Sequence, residues 1–377
     1  ALALGWIIWK EQPSEAIELL ERTMTVVAGD TGNEVRILGK LVLFYEWRER
    51  ARAGLPPYHA RSLDELFFTF AGNALQELRS KATELVRHSS EDNWAHMALG
   101  LAEFALGNID TSQKHFTTVF RATGQAQAGA TRFDDAFFEN ITATTAENLS
   151  HELSPVETVK KNFFEKDNIL YMACDGTYFD AFAQPLLLSL NDTSGNHQVH
   201  IHLMDSPEEH TESALIFCDQ LESVSTAISV ERPNLSDNDI NAKRAYFHAI
   251  RFVRFYTHLL AYKKTLWLMD VDGLFHRTPE RIFDEFKSAN VAMRVRPGRL
   301  EPWNQLNACL VGVKPHEEGL LYIRNVCAYI MHFYKEGIMP WGIDQLAMFA
   351  CFHNLERQDM APKVHLLDER ALDYEYK

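Results

Sequence analysis

Thr265-Leu266-Trp267-Leu268-Met269 runs directly into Asp270-Val271-Asp272-Gly273-Leu274-Phe275. Five apolar residues followed by two carboxylates have the pattern of a buried strand that ends at a site. One residue separates the acids, so both can turn toward one ion. Carboxylate oxygens suit Mg²⁺ or Mn²⁺, which can bridge to a substrate diphosphate and stabilise charge on a departing nucleoside diphosphate. An Asp-x-Asp triplet alone is common on solvated turns. The apolar run in front of it sets this one apart.

The strand belongs to a series. Asn168 to Cys174 reads as a short buried strand ending at Asp175-Gly176, and an apolar helix follows near Phe179 to Leu190. Val199 to Met204 alternates like a strand and ends at Asp205; a helix over Glu208–Leu221 and a strand over Ala227–Val230 come next. Strands alternating with helices predict a mainly parallel α/β sheet with crossovers. Ligands in such sheets lie at the carboxyl ends of the strands, and Asp175, Asp205 and Asp270 all fall at predicted strand ends. The helix before the triplet, Ala245 to Lys264, carries Tyr246, Ile250, Val253, Thr257 and Leu260 on one stripe, with Arg251, Arg254 and His258 on a neighbouring face. An arginine there can clamp a diphosphate or pair with a strand-end acid.

Residues 1 to about 122 read instead as helix after helix. From Trp94 to Phe120, Leu99-Gly100, Gly107-Asn108 and Phe116 have the spacing of a tetratricopeptide repeat, with departures at Ser112 and Val119. A weaker echo runs from Leu4-Gly5 through Ala16 and Leu20. The expected architecture is α plus α/β: an all-α, TPR-like domain with linker over 1–150, then an α/β domain over 160–377. Ser154-Pro155 marks the boundary. The helical half shows no catalytic cluster; it reads as an irregular bundle, or as a surface for a protein partner or for self-association.

The net charge of −15 argues against a nucleic-acid binder. The five cysteines, scattered and without a Cys-x-x-Cys pair, predict neither a disulfide framework nor a structural zinc site and fit a reducing compartment. No apolar run approaches the roughly 18 residues of a membrane span. The apolar start, Ala1 to Trp9, is short and lacks the basic flank of a signal peptide. These features read as a soluble cytoplasmic protein, and the missing initial Met reads as trimming.

Over about 168–372 the order of motifs resembles glycosyltransferase family 8, which implies a GT-A, Rossmann-like domain acting on a nucleotide sugar, with a UDP-sugar expected. Met172-Ala173-Cys174-Asp175-Gly176-Thr177-Tyr178 matches the family's first strand and nucleotide loop. The resemblance implies that Asp175 accepts a hydrogen bond from uracil, that Gly176 and Thr177 lie close by, and that Tyr178 stacks on the base. It makes Arg254 a donor-binding candidate and puts Asp270, Val271 and Asp272 on the metal and donor segment. Leu306-Asn307-Ala308-Cys309-Leu310 resembles the segment that meets the donor sugar, and Trp341-Gly342-Ile343-Asp344-Gln345 the motif beside the anomeric carbon.

Family resemblance favours retention, with Gln345 near the reacting carbon; an inverting reaction would need a base, for which Asp344 is the candidate. The acceptor is a hydroxyl on a glycan, lipid-linked or protein substrate. Cys309 stands where the family has glycine, and Leu346 where it has a second acid. The family's third metal ligand, in a His-x-x-Gly segment, has no counterpart: His365 comes too early, and Lys377 falls about where the segment should begin, which predicts a ligand beyond it.

Arg294 and Arg296 alternate on a predicted strand, Val291 to Val295, and can face acceptor or solvent. Trp303 and Trp341 can stack on a sugar or pack. His200 and His202 alternate on their strand with no third ligand nearby in sequence. Two rival readings are a helical adaptor with a degenerate transferase domain and a nucleotidyltransferase. The intact acidic motifs count against the first, and the non-basic loop Cys174–Thr177 counts against the second.

Overall fold

The computed structural model describes residues 2–9, 12–55, 71–142, 153–162, 165–235, 240–296 and 299–367. Residues 143–152, which include the end of the expected helical domain with linker, and the end of the expected α/β domain, 368–377, lie outside the described residues. The chain divides into two compact units, Ala1–Asp134 with Val295–Leu306, and Asp135–Arg294 with Asn307–Lys377.

The first unit is helical: α1 (Leu2–Trp9), α2 (Pro13–Val26), α3 (Thr31–Arg52), α4 (Gly72–His88), α5 (Asn93–Ala105), α6 (Ile109–Thr123) and α7 (Ala126–Ala130). Local signals set the ends. Asp30 and Asp92 accept hydrogen bonds from Asn33 N (3.2 Å) and Ala95 N (3.0 Å), capping α3 and α5. Gly124 stops α6 in the left-handed conformation, φ +69°. Leu20, Leu38, Leu41, Phe44, Trp47, Leu75 and Leu78 build the core, where Trp9 stacks on Phe44 at 4.3 Å.

In the α5–α6 pair, a Cβ on Gly100 would lie 3.0 Å from the Phe116 ring. Ser112 Oγ donates to the Gly100 carbonyl at 2.7 Å. The later segment Val295–Leu306 packs here too, because its apolar side chains find this core: Leu300 joins it and Trp303 meets Phe116 edge-on at 5.9 Å.

The second unit begins with α8 (Asp135–Thr142) and then alternates: β1 (Val156–Lys161), β2 (Asn168–Cys174), α9 (Gln184–Asn191), β3 (His197–Met204), α10 (Glu208–Cys218), β4 (Val224–Glu231), α11 (Ile240–Tyr262), β5 (Thr265–Met269), α12 (Glu280–Glu285), β6 (Val291–Val295), β7 (Leu306–Val313), α13 (Glu317–Lys335), α14 (Ile343–Arg357) and β8 (Val364–Leu366). One 8-stranded sheet has the order β1-β4-β3-β2-β5-β7-β6-β8. The central run β4-β3-β2-β5 is parallel; β1 and β7 pair antiparallel to β4 and β5. This is the mainly parallel α/β sheet that the alternation predicts.

Burial departs from the alternation in one place. Every residue of β3 and β4 is buried, so the polar set His200 and His202 faces a covering helix and not water. That helix, α11, packs against β2, β5, α13 and α14. It is covered on more than its apolar stripe, so Arg251, Arg254 and His258 are buried as well and each needs a partner. Among the described residues no helix is long and apolar enough to cross a membrane. All five cysteines are buried, and none forms a disulfide.

Candidate active site at the strand ends

β2 and β5 are neighbours, with Met172 opposite Met269. Asp175 and Asp272 therefore leave the carboxyl ends of adjacent parallel strands, each three residues past a matched position. Asp270 N donates to the Cys309 carbonyl at 2.9 Å, which ties the triplet to β7.

Asp175 Oδ1 accepts from Tyr178 N at 2.7 Å and caps the helical turn Gly176–Tyr178. A Cβ on Gly176 would lie 2.6 Å from His210 Cβ and 2.8 Å from Ser206 Oγ. Gly176→Ala is expected to cost about 1–3 kcal/mol in a urea melt, because the crowding atoms are close to rigid backbone. Thr177 and Tyr178 are exposed, and the Tyr178 ring sits 5.0 Å from that of Phe182. This leaves two aromatic rings in solvent beside a strand end.

Arg251 gathers the other motifs. Its Nη1 donates to Asp270, and its Nη2 to Asp344 Oδ2 (3.3 Å) and the Ala308 carbonyl (3.4 Å). Its Nε is held by the His248 carbonyl at 2.9 Å. Burial works against its charge, but the Asp270 and Asp344 carboxylates outweigh it and raise its pKa further. Asp344 is 3% exposed, and its Oδ1 also accepts from Gln345 N at 2.9 Å. Gly342, at φ +84°, turns the chain into α14 and leaves Trp341 68% exposed.

Asp272 stays in contact with solvent. Desolvation by the surrounding protein, and then the Asp270 carboxylate, raise its pKa. Two acids that crowd each other at a strand end fit a divalent cation, which would relieve the repulsion; Asp270 and Asp272 would hold it. Asn307 is buried, and its Oδ1 accepts from Cys309 N (3.1 Å). Gln345 Oε1 is buried without a hydrogen-bond partner among the described residues.

His248 joins this group and was not singled out by sequence. Its Nδ1 donates to the Arg244 carbonyl at 2.8 Å, which requires a proton there. Nε2 is 4.0 Å from Asp344 Oδ1, and the ring lies 4.8 Å from Trp341. The available signal was its position three residues before Arg251, on the same helix face.

Other candidates lie elsewhere. Arg254 is clamped by Glu231 and the Ser154 carbonyl. Asp205 is paired with Lys243 at 2.9 Å. His365 is on β8, separated from β5 by β7 and β6, a displacement of about 14 Å at ordinary strand spacing. Trp303 and Arg296 belong to the first unit, and Arg294 to the second.

No family model matches the chain, and no curated protein matches it. Among solved structures, the apo form of mouse xyloside xylosyltransferase 1 aligns at 14% identity, covering 53% of this chain and 84% of that one, with a TM-score of 0.36. The apo structure of the WbbM bifunctional glycosyltransferase aligns at 11% identity, covering 57% of this chain and 49% of that one, with a TM-score of 0.35.

Proposed function

We propose that the second unit is a metal-dependent glycosyltransferase domain of the GT-A type, resembling family 8, that transfers sugar from a UDP-sugar to a hydroxyl acceptor with retention. The observation that carries this reading is the Arg251 guanidinium, which joins Asp270, Asp344 and the Ala308 carbonyl. Three motifs far apart in sequence thereby meet where a parallel sheet offers its site.

In this reading Asp175 and the exposed Tyr178 receive the base, and Asn307, Asp344 and Gln345 meet the donor sugar. Arg251 holds Asp270 and Asp344 in fixed orientation. A bound Mn²⁺ or Mg²⁺ would supply positive charge to the diphosphate leaving group. In the first unit, the close α5–α6 pair supports a TPR-like reading, with the helical surface recruiting an acceptor or partner.

Asp272→Asn tests the assignment through two readouts of opposite sign. Hydrolysis or transfer of UDP-sugars with Mn²⁺ is expected to fall on the order of 100-fold or more. Without metal, stability at neutral pH should hold or rise. An acid whose folded pKa is raised contributes stability at low pH and loses it as pH climbs through that pKa, so removing the charge removes a cost. Wild-type turnover in the variant would overturn the metal role.

A further inference from the structure

His200 and His202 project from β3 toward α11, and the fold brings His258 over them. His200 Nε2 and His202 Nδ1 each lie 2.8 Å from Ser229 Oγ on β4, and His258 Nε2 lies 3.4 Å from it. One ligand atom from each histidine falls within 4.8 Å of the others. An ion held tetrahedrally at about 2.0–2.1 Å would space its ligand atoms about 3.3 Å apart. The three distances from the hydroxyl oxygen to the ring nitrogens, 2.8, 2.8 and 3.4 Å, bracket that spacing, so small side-chain shifts would close the set around an ion.

The far sides of two of the rings face polar groups. His200 Nδ1 meets Tyr262 Oη at 2.7 Å, and His202 Nε2 faces Glu231 Oε1 at 3.6 Å. A ligating imidazole gives one nitrogen to the ion while a carboxylate or hydroxyl orients the other. Tyr171 packs its ring against all three histidines, at 5.2, 6.4 and 5.7 Å. Its fully buried hydroxyl has no hydrogen-bond partner among the described residues, and neither does His202 Nε2. Glu231, paired with Arg254 through its other oxygen, lies behind His202.

We propose that His200, His202, His258 and Ser229 form a buried Zn²⁺ site, separate from the acidic pair at the strand ends. Three imidazoles and one oxygen are a donor set that suits zinc. The histidines are 0%, 0% and 8% exposed, so the site is closed and structural, with no place for substrate. It pins α11 to β3 and β4. His258 follows Arg251 by seven residues, about two turns, so the ion would also set how far Arg251 reaches toward Asp270.

The test is zinc retained by the full chain after equilibration with Zn²⁺ and passage over a chelating resin, read by elemental analysis. The wild type and an Asp270→Asn/Asp272→Asn variant are each expected to keep about one ion per chain, and His258→Gln about a tenth of that or less. Cobalt loaded into the wild type should show the intense visible bands of tetrahedral nitrogen and oxygen ligation, which decides the matter if His258→Gln fails to fold. Zinc absent from the wild type, kept by a folded His258→Gln, or lost with the acidic pair would overturn the site. So would a weak six-coordinate cobalt spectrum. Any of these would leave Ser229 as the centre of a metal-free hydrogen-bonded knot.

Discussion

Arg251→Ala is expected to remove turnover and to loosen the second unit together. Arg251 is the shared partner of Asp270 and Asp344, so its loss leaves Asp344, 3% exposed, without its cation. Breaking a buried pair costs about 3–5 kcal/mol. The expected loss lies near about 3 kcal/mol, because the Asp270 side chain is 32% exposed and water screens that half of the bridge. Two misdirected carboxylates should also lower kcat on the order of 100- to 1000-fold. Arg251→Lys keeps the charge but cannot span two acids with a planar fork, so it should recover stability more than rate. Urea melts and UDP-sugar hydrolysis measure the two effects. Full turnover in Arg251→Ala, with the loss appearing in Arg254→Ala, would reverse the roles given to the two arginines.

Glu231→Gln should give the largest purely structural effect. Glu231 is 1% exposed and Arg254 2%; Arg254 Nε donates to Glu231 Oε2 at 2.6 Å, and Tyr246 Oη donates to Oε1 at 3.2 Å. Burial pushes the Glu231 pKa up, but His202 and Arg254 outweigh it, and the net direction is down. A carboxyl lowered on folding contributes stability above its unfolded pKa, about 4.3, and loses it as pH falls through the folded value. The variant strands a buried guanidinium, at about 3–5 kcal/mol near pH 7, and the gap to wild type should close in acid. Glu231→Leu/Arg254→Met should recover much of the loss, since an apolar pair of similar volume does not strand a charge. A pH-independent difference of a few tenths of a kcal/mol would refute the buried-pair account.

Local pattern placed the elements that matter. Asn168–Cys174, Thr265–Met269 and Val291–Val295 read as strands and are strands to the residue, because buried parallel strands are short apolar runs closed by a polar turn. β1 was not legible. Val156–Lys161 is a partly exposed edge whose polar residues show no period until its partner β4 is known. β7 carries Asn307 and Ala308, and its Asn and Gly hide an otherwise apolar strand.

Composition, period and strand-end acids were enough to separate a helical half from an α/β half and to point at Asp175, Asp270 and Asp272, whereas Asp344 came only from the family resemblance. These are properties of short segments, and short segments carry them in any context. The choice between Arg251 and Arg254 is of another kind. Three residues apart on a helix, they point only about 60° apart, and the packing of α11 against β2, β5, α13 and α14 decides which one meets Asp270. The approach of His258 to His200 and His202 depends on the same packing. It joins residues more than fifty positions apart, and no local periodicity encodes such a contact. The Asp270-Val271-Asp272 triplet marked a candidate site, and the setting of one helix on the sheet selected the cation that meets Asp270.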